Sequence, residues 1–299
     1  SKWVNMIKAQ YIAHKIFRKD GYIKKFLNHS RIKDLSSEKR NYLNHHTNHP
    51  WRFSFSIITG NPEEHFFEME DVFRQESFLL YSPGMADLQE KNQPLMWFNL
   101  IAYNGECWET YGPIHYYKGF EPDDVFFFAT ELNPDAYFED DLDLIADIEN
   151  NPIPYMMLFS GGNHPLTVHQ EDQLVHNAAW YDLENFKTMG LKQDFKIEYH
   201  DEVYRLSLKD WAEHPHFSIA YYDEKNGVLS LISMTDRGFA VLAERFNNLG
   251  YNLSEEADIR VNPVMIATAE NILGKDIELD EYADLFEQEP SPETQAEVD

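Results

Sequence analysis

The sequence predicts an α+β protein, mainly antiparallel sheet covered by helices, with a helical arm in front and an acidic tail behind. Strand-type alternation and hairpin turns recur between Trp51 and Met234. Three amphipathic helical stretches accompany them, near 136–148, 236–249 and 264–273. Consecutive hairpins outnumber strand-helix-strand units, which argues against a doubly wound fold.

The arm comes first. Trp3, Val4, Ile7, Tyr11 and Phe17 fall near helical spacing with Lys8, Lys15 and Arg18 among the polar positions, the pattern of an amphipathic helix whose apolar stripe is expected to be buried. Gly21 interrupts it, Tyr22 to Phe26 resumes it, and Ser36 or Ser37 can cap a further helix ahead of Pro50. Trp51, Phe53, Phe55 and Ile57 then alternate with Arg52, Ser54 and Ser56, so the large side chains are expected on one face of a strand. Thr59-Gly60-Asn61-Pro62 reads as a turn, and 65–73 as the next strand. Leu95–Tyr103 and Glu106–Tyr111 flank Asn104-Gly105, a pair suited to the positive φ angles of a type I′ hairpin. Val125–Ala129 reads as a short strand. Ala136–Ile148 follows as a helix with Leu142, Ile145 and Ile148 as its apolar stripe, ended by Asn150-Asn151-Pro152.

Pro154–Phe159 reads as a buried strand leading into Ser160-Gly161-Gly162-Asn163. Further strands are expected at 195–199, 203–208, 217–222 and 228–234. Thr235 caps a helix bearing Phe239, Leu242, Phe246 and Leu249, with Gly250 as its stop, and Pro263 and Gly274 bracket the last helix. From Asp276 onward there are ten acids and no base. Ile277–Phe286 has the apolar residues to dock, whereas the end of the chain is expected to be disordered. The resulting organisation is an arm over 1–50, an aromatic-rich strand-dominated lobe over 51–150, an α+β lobe over 151–278 continuous with it or separate, and an acidic tail over 279–299. Leu100–Gly105 and Ile219–Tyr221 with Asn226-Gly227 echo each other as any two hairpins do.

Charge bounds the function. In 299 residues there are 52 Asp and Glu against 25 Lys and Arg, a formal net charge of −27. The first 50 residues hold 11 bases and 3 acids, so the rest of the chain carries the excess. Such a body repels nucleic acids and anionic membranes and attracts cationic proteins or metal ions. The basic arm finds its nearest opposite charge on the same chain or on a second copy, so docking or a homo-oligomer through residues 1–50 is expected ahead of nucleic-acid binding. The single cysteine, Cys107, excludes an internal disulfide and argues for a reducing compartment, which makes the Asn28 and Asn252 sequons coincidental. No apolar stretch approaches the ~20 residues of a spanning helix, and no signal-peptide order is present near the start, so a soluble cytoplasmic protein is expected.

Chemistry-bearing patterns are partial. His45 and His49 have the i, i+4 spacing of zinc-binding helices, but His46 stands where such motifs carry a catalytic Glu and Pro50 follows at once, so no metal is expected. A small anion or other small molecule could be held by the loop Ser160, Gly161, Gly162, Asn163 and His164, through backbone N–H groups with His164 as acid or base and His115 in support. His169 and His176 follow that loop. Gly-x-Ser-x-Gly, Walker and Gly-x-Gly-x-x-Gly patterns are absent, and no cofactor is indicated. Asp123-Asp124 and the cluster Glu139, Asp140, Asp141, Asp143 lack the order of an EF-hand and read as solvated helix faces. Cys107, between Glu106 and Trp108, sits where negative charge opposes thiolate formation. Residues 51–138 hold 21 aromatics in 88 positions, and neighbours such as Phe66-Phe67, Trp97-Phe98 and Tyr116-Tyr117 point to opposite faces, so both faces of that sheet are expected to be covered.

Two functions follow. The first is a non-enzymatic interaction protein whose acidic body, with Glu139, Asp140, Asp141 and Asp143 as a candidate face, engages a basic protein surface as an inhibitor, an immunity-type neutraliser or a nucleic-acid mimic. The alternative is an enzyme, of hydrolase type, at Ser160–His164.

Overall fold

The computed structural model of the chain describes residues 2–88, 95–136, 138, 140–158, 168–169, 171–183, 186–188 and 190–286. It has the α+β architecture expected, with mostly antiparallel strands. The chain forms two compact units, Ser1–Pro165 with Asn271–Leu273, and Leu166–Glu270 with Gly274–Asp299. The arm therefore belongs to the first unit, and the division falls after Pro165, later than Asn150-Asn151-Pro152. Among the described residues no helix is long and apolar enough to cross a membrane.

The first unit runs through helices α1 (Lys2–Phe17), α2 (Tyr22–Phe26), α3 (Ser30–Lys33) and α4 (Ser37–Asn48), and strands β1 (Arg52–Glu63), β2 (Phe66–Asp71) and β3 (Glu76–Tyr81). A short helix α5 (Pro83–Ala86) precedes β4 (Leu95–Tyr103) and β5 (Trp108–Lys118), and helices α6 (Pro122–Leu132), α7 (Asp141–Asn150) and α8 (Pro152–Leu158) complete it. The strands close into a barrel in the order β1-β2-β3-β5-β4, antiparallel except where β3 meets β5. Register decides what fills it: Phe67, Met69, Leu80, Trp97 and Ile101 form one buried cluster with Ile58, Phe78, Trp108 and Tyr116 packed against it. The opposite parity carries Phe53 stacked on Phe98 at 4.9 Å, and Phe55 against Phe73 at 5.4 Å. Helices cover this outer layer, as His14 of α1 against Phe53 and Phe126 of α6 against Phe73 show. Both faces are thus covered. Ser54 and Ser56 are as buried as Phe53 and Phe55, while Ile57 is exposed, so the simple in-out alternation expected for β1 does not hold on a barrel strand backed by helices.

Several local expectations are corrected. Val125–Ala129 lies in α6: Pro122 opens that helix, and the Glu121 amide donates to Asp124 in a capping box, so Val125, Phe128 and Ala129 share its buried face. The run Pro154–Leu158 belongs to α8, whose Tyr155 hydroxyl donates to Asp147 of α7 at 2.6 Å. A short, uniformly apolar run has no period to separate strand from helix. Strand β1 continues through Thr59-Gly60-Asn61-Pro62, absorbing the sequence as register shifts at Gly60. The β4–β5 connection spans Asn104–Cys107, with the Asn104 carboxamide oxygen accepting from the amides of Glu106 and Cys107, which draws Cys107 out of the strand into a buried turn position.

The stripe expected to bury on α1 does not. Trp3, Val4, Met6 and Ile12 are exposed, Ile7 and Tyr11 half-buried, and the buried positions are Gln10 and His14. Hydrogen bonding selects this face. Strand β5 bulges at Gly112, whose φ is +84°, and the Gln10 amide donates to the freed carbonyls of Tyr111 at 2.8 Å and Pro113 at 3.2 Å. Buried carbonyls without donors would each cost ~1–3 kcal/mol.

The second unit begins with the small pair β6 (Val168–His169) and β7 (Asp172–Gln173), followed by β8 (His176–Asp182), β9 (Phe195–His200), β10 (Val203–Leu208), β11 (Ile219–Asp223) and β12 (Val228–Ser233). Helix α9 (Asp236–Asn248), strand β13 (Ile259–Val261) and helix α10 (Pro263–Leu273) follow. The large sheet has the order β13-β8-β12-β11-β10-β9, antiparallel throughout. Thr235 caps α9 by accepting from the Gly238 amide. Phe239, Leu242 and Phe246 bury against Leu206, Leu229 and Leu231, each contributing ~1.5–3 kcal/mol, whereas Leu249 lies past the helix and is exposed. The other sheet face holds Ala178, Val203, Tyr221 and Ile232, and the tail's beginning docks there, Tyr282 and Phe286 packing on Tyr221.

Candidate functional site

In the first unit, a chain of charged groups runs from inside the barrel to an open cleft. Asp71, fully buried at the end of β2, accepts from the Ser54 hydroxyl at 2.9 Å, from the amides of Phe73 and Arg74, and from Arg74 Nη1 at 3.0 Å. Arg74 also donates to the Phe53 carbonyl and, through Nη2, to Glu149 at 3.3 Å. Glu149, on α7, accepts further from the Phe53 amide at 3.1 Å and from Nε2 of His14 at 2.6 Å. Three elements distant in sequence, α1, β1 and α7, are thereby tied at one carboxylate. Arg18 Nη1 and Lys15 Nζ donate to the last carbonyls of α7, at Glu149 and Asn150, where the negative end of a helix favours cations. Burial, followed by the nearby Arg18 charge, lowers the Lys15 pKa.

Beside Glu149 opens a cleft of about 690 Å³. Arg18, Lys19, Arg52 and Arg74 supply its cationic lining; Trp108 and the largely buried Trp51, itself packed between Phe17 and Tyr111, border it, and α7 contributes Leu142 and Ile145. Arg52 lies over the Trp108 ring at 4.7 Å and donates to Glu76 at 2.8 Å. A lone Arg52 or Arg74 in an acidic stretch carries no pattern, so the sequence does not mark this site. The weak signal was that residues 51–165 hold only four bases, two of which converge here.

The histidine cluster is structural in its bonding. His45 Nε2 donates to the Tyr103 carbonyl at 2.8 Å, His49 Nδ1 to the His45 carbonyl at 3.2 Å, and the His45 and His49 rings stack at 4.6 Å. His46 is buried among Phe17, Tyr42 and Trp51. Burial, then the neighbouring His45 and His49, pushes its pKa down to about 4. Burial alone pushes His176 down to about 4. Among the described residues no group of three His, Cys, Asp or Glu could hold a metal. His115 is buried in β5 near Phe98.

The loop Ser160, Gly161, Gly162, Asn163 and His164 lies outside the described residues, as does Glu139. Of the other acids in that cluster, Asp140 is the N-cap of α7, accepting from the amides of Leu142 and Asp143. Asp141 stands in the first turn, its pKa raised by burial and then by Asp140. Asp140 and Asp141 thus complement the positive end of a helix. The stripe of α7 is also corrected: Leu144 and Ile148 are buried, and Leu142 is 69% exposed. Asp124 is likewise a buried cap.

A denser exposed acidic group lies in the second unit. Pairing places His200, Val203, Asp223, Val228 and Asp182 in one row across the end of the sheet. Beyond that row, the two-residue turn Asp201-Glu202 joins β9 to β10, and the Glu224 amide donates to the Glu202 carbonyl at 2.9 Å, drawing the two turns together. Asp182, Asp201, Glu202 and Glu224 are exposed. Tyr199 is 54% exposed, its ring 4.5 Å from that of Tyr204 and its hydroxyl donating to Glu224 at 2.9 Å. That hydrogen bond is the leading cause of its raised pKa. Asp201 and Glu202 both have positive φ, 44° and 67°, a conformation that Asn-Gly adopts with less strain.

Comparison with protein-family models, curated proteins and solved structures finds no match to this chain.

Proposed function

We infer that this is an interaction protein that engages a basic protein partner through the acidic end of the six-stranded sheet in its second unit. The observation that carries the reading is the Asp201-Glu202 turn. Glu at φ 67° sits in a left-handed conformation costing roughly 1–2 kcal/mol for an ordinary L residue. A turn that keeps two carboxylates there, beside Glu224, favours charge over backbone ease.

Composition supports the same reading: residues 166–299 hold 28 Asp and Glu against 10 Lys and Arg. Tyr199 supplies what charge alone does not, an exposed ring able to anchor a contact at low entropic cost. The acids accelerate encounter; the ring holds the complex. The test is to capture partners of the full chain at low salt, then follow association of the recovered partner by stopped-flow across a salt series. Association should slow steeply with salt and slow again in Asp201→Asn/Glu202→Gly, while Tyr199→Ala should raise the dissociation rate. An association rate indifferent to both salt and the turn variant would sink the reading.

A further inference from the structure

The cleft beside Glu149 reverses the charge of the chain around it. Four cations, Arg18, Lys19, Arg52 and Arg74, line it against two acids, Asp20 and Glu149. Each acid already has a cationic or proton-donating partner of its own. Asp20 accepts from Lys24 at 2.6 Å, and Glu149 is held by His14 and Arg74. Glu76 and Asp71 pair Arg52 and Arg74 from outside the lining, so the positive surplus of the cleft rests on Arg18 and Lys19 in a protein of net charge −27, and local groups outweigh distant exposed ones beyond a Debye length of ~8 Å.

Two donors of the lining residues are left over. Trp51 Nε1 and Arg52 Nε are buried and have no hydrogen-bond partner among the described residues. Buried donors are rarely left unmade, because each carries a desolvation cost of ~1–3 kcal/mol. The Arg52 guanidinium carbon lies 4.7 Å from the centre of the Trp108 ring, and Nη1 is bonded to Glu76, a side chain 57% exposed. A planar cation on an indole, beside the apolar Leu142 and Ile145, offers both a charge and a surface for a flat apolar body. The volume, about 690 Å³, is that of a small-molecule site, typically ~300–1,000 Å³.

We propose that this cleft binds a small organic oxyanion, a carboxylate or phosphate ester on a planar apolar body. Arg52 and Arg18 hold the anionic group, and Trp108 and Ile145 receive the body. Guanidinium forks match the paired oxygens of both anions, so the two share one recognition chemistry.

The experiment titrates the full chain with benzoate, phenyl phosphate, benzamide and inorganic phosphate, reading tryptophan fluorescence and checking by equilibrium dialysis. At least one aromatic oxyanion binds saturably, and benzamide and inorganic phosphate bind at least ~10-fold more weakly, since one lacks the charge and the other the body. Leu142 gives a charge test that spares the fold, because it lines the cleft while 69% exposed. Leu142→Glu should weaken the preferred probe about three- to fivefold and Leu142→Lys tighten it similarly, as expected for a charge ~8 Å away near a surface and screened by salt over about one Debye length. Melting temperatures taken alongside confirm that both variants are folded. Arg52→Gln should lose at least ~10-fold. The proposal is overturned if neither aromatic oxyanion binds saturably, if benzamide binds as well as the preferred oxyanion, or if swapping the charge at Leu142 leaves affinity unchanged.

Discussion

Replacing Asp201-Glu202 by Asn-Gly should make the second unit more stable and, on the proposed function, a poorer binder. The turn between β9 and β10 has positive φ at both positions, so Glu202→Gly relieves roughly 1–2 kcal/mol of left-handed strain. The new glycine returns ~0.4–1 kcal/mol of that through the freer unfolded chain. Asp201→Asn is near neutral in backbone terms, and taking two charges away from beside Glu224 adds a few tenths. The net is about 1 kcal/mol in favour of folding, or ~2–4 °C in the melting temperature of a unit this size. Differential scanning calorimetry, with urea titration at pH 7, measures it. A fall in stability would refute the strain argument directly, because no side-chain contact removed from this exposed turn is worth the difference. Stability rising while association slows would separate the role of these carboxylates in contact from any role in the fold.

Other outcomes follow from the buried polar groups. His46, held at about 4 against a usual 6.5, is neutral in the fold and protonates more readily when unfolded; its contribution is complete above pH 6.5 and lost as pH falls toward 4, with a slope of up to ~1.4 kcal/mol per pH unit. Urea titrations of the native chain and His46→Gln at pH 7 and 5 should therefore converge at the lower pH, and parallel curves would contradict this. Glu149→Ala leaves His14 and part of Arg74 without their carboxylate and should cost about 3 kcal/mol in the first unit. Gly112→Ala, with positive φ and a Cβ set within 2.9 Å of Gln10, should cost ~1–3 kcal/mol; combined with Gln10→Ala it should cost less than the sum of the two single changes, a coupling that a double-mutant cycle reads.

Legibility in the sequence depended on whether the deciding interactions were local. Helix α9 could be placed from Thr235, the spacing of Phe239, Leu242 and Phe246, and Gly250, because capping and periodicity act within a few residues. The paired strands β9 to β12 were legible for the same reason. Helix α6 was misread although its signal was present: Glu121-Pro122-Asp123-Asp124 is a helix start, outweighed by the β-rich look of Val125-Phe126-Phe127-Phe128. Helix α8 had no such signal, and its conformation is settled by burial of Tyr155 and Met156 and by the Tyr155–Asp147 hydrogen bond.

Nothing local marks the Arg18, Arg52, Arg74 and Glu149 site, since its members lie up to 131 positions apart and meet only when a barrel and two helices form. The acidic end of the second sheet was half legible. Its charge was plain in the composition, but the notable position, Glu202 at φ 67°, exists only once β9 and β10 are in register. By itself, then, the sequence determined class, charge and those elements whose caps and periods lie within one turn or hairpin. Tertiary structure alone decided that five strands close into a barrel, that α1 buries Gln10 and His14 in preference to Trp3 and Ile12, and which charges converge. The physical reason is the same in each case: a buried hydrogen-bonding group must be satisfied wherever the chain brings a partner, and that demand overrides the hydrophobic pattern of any single segment.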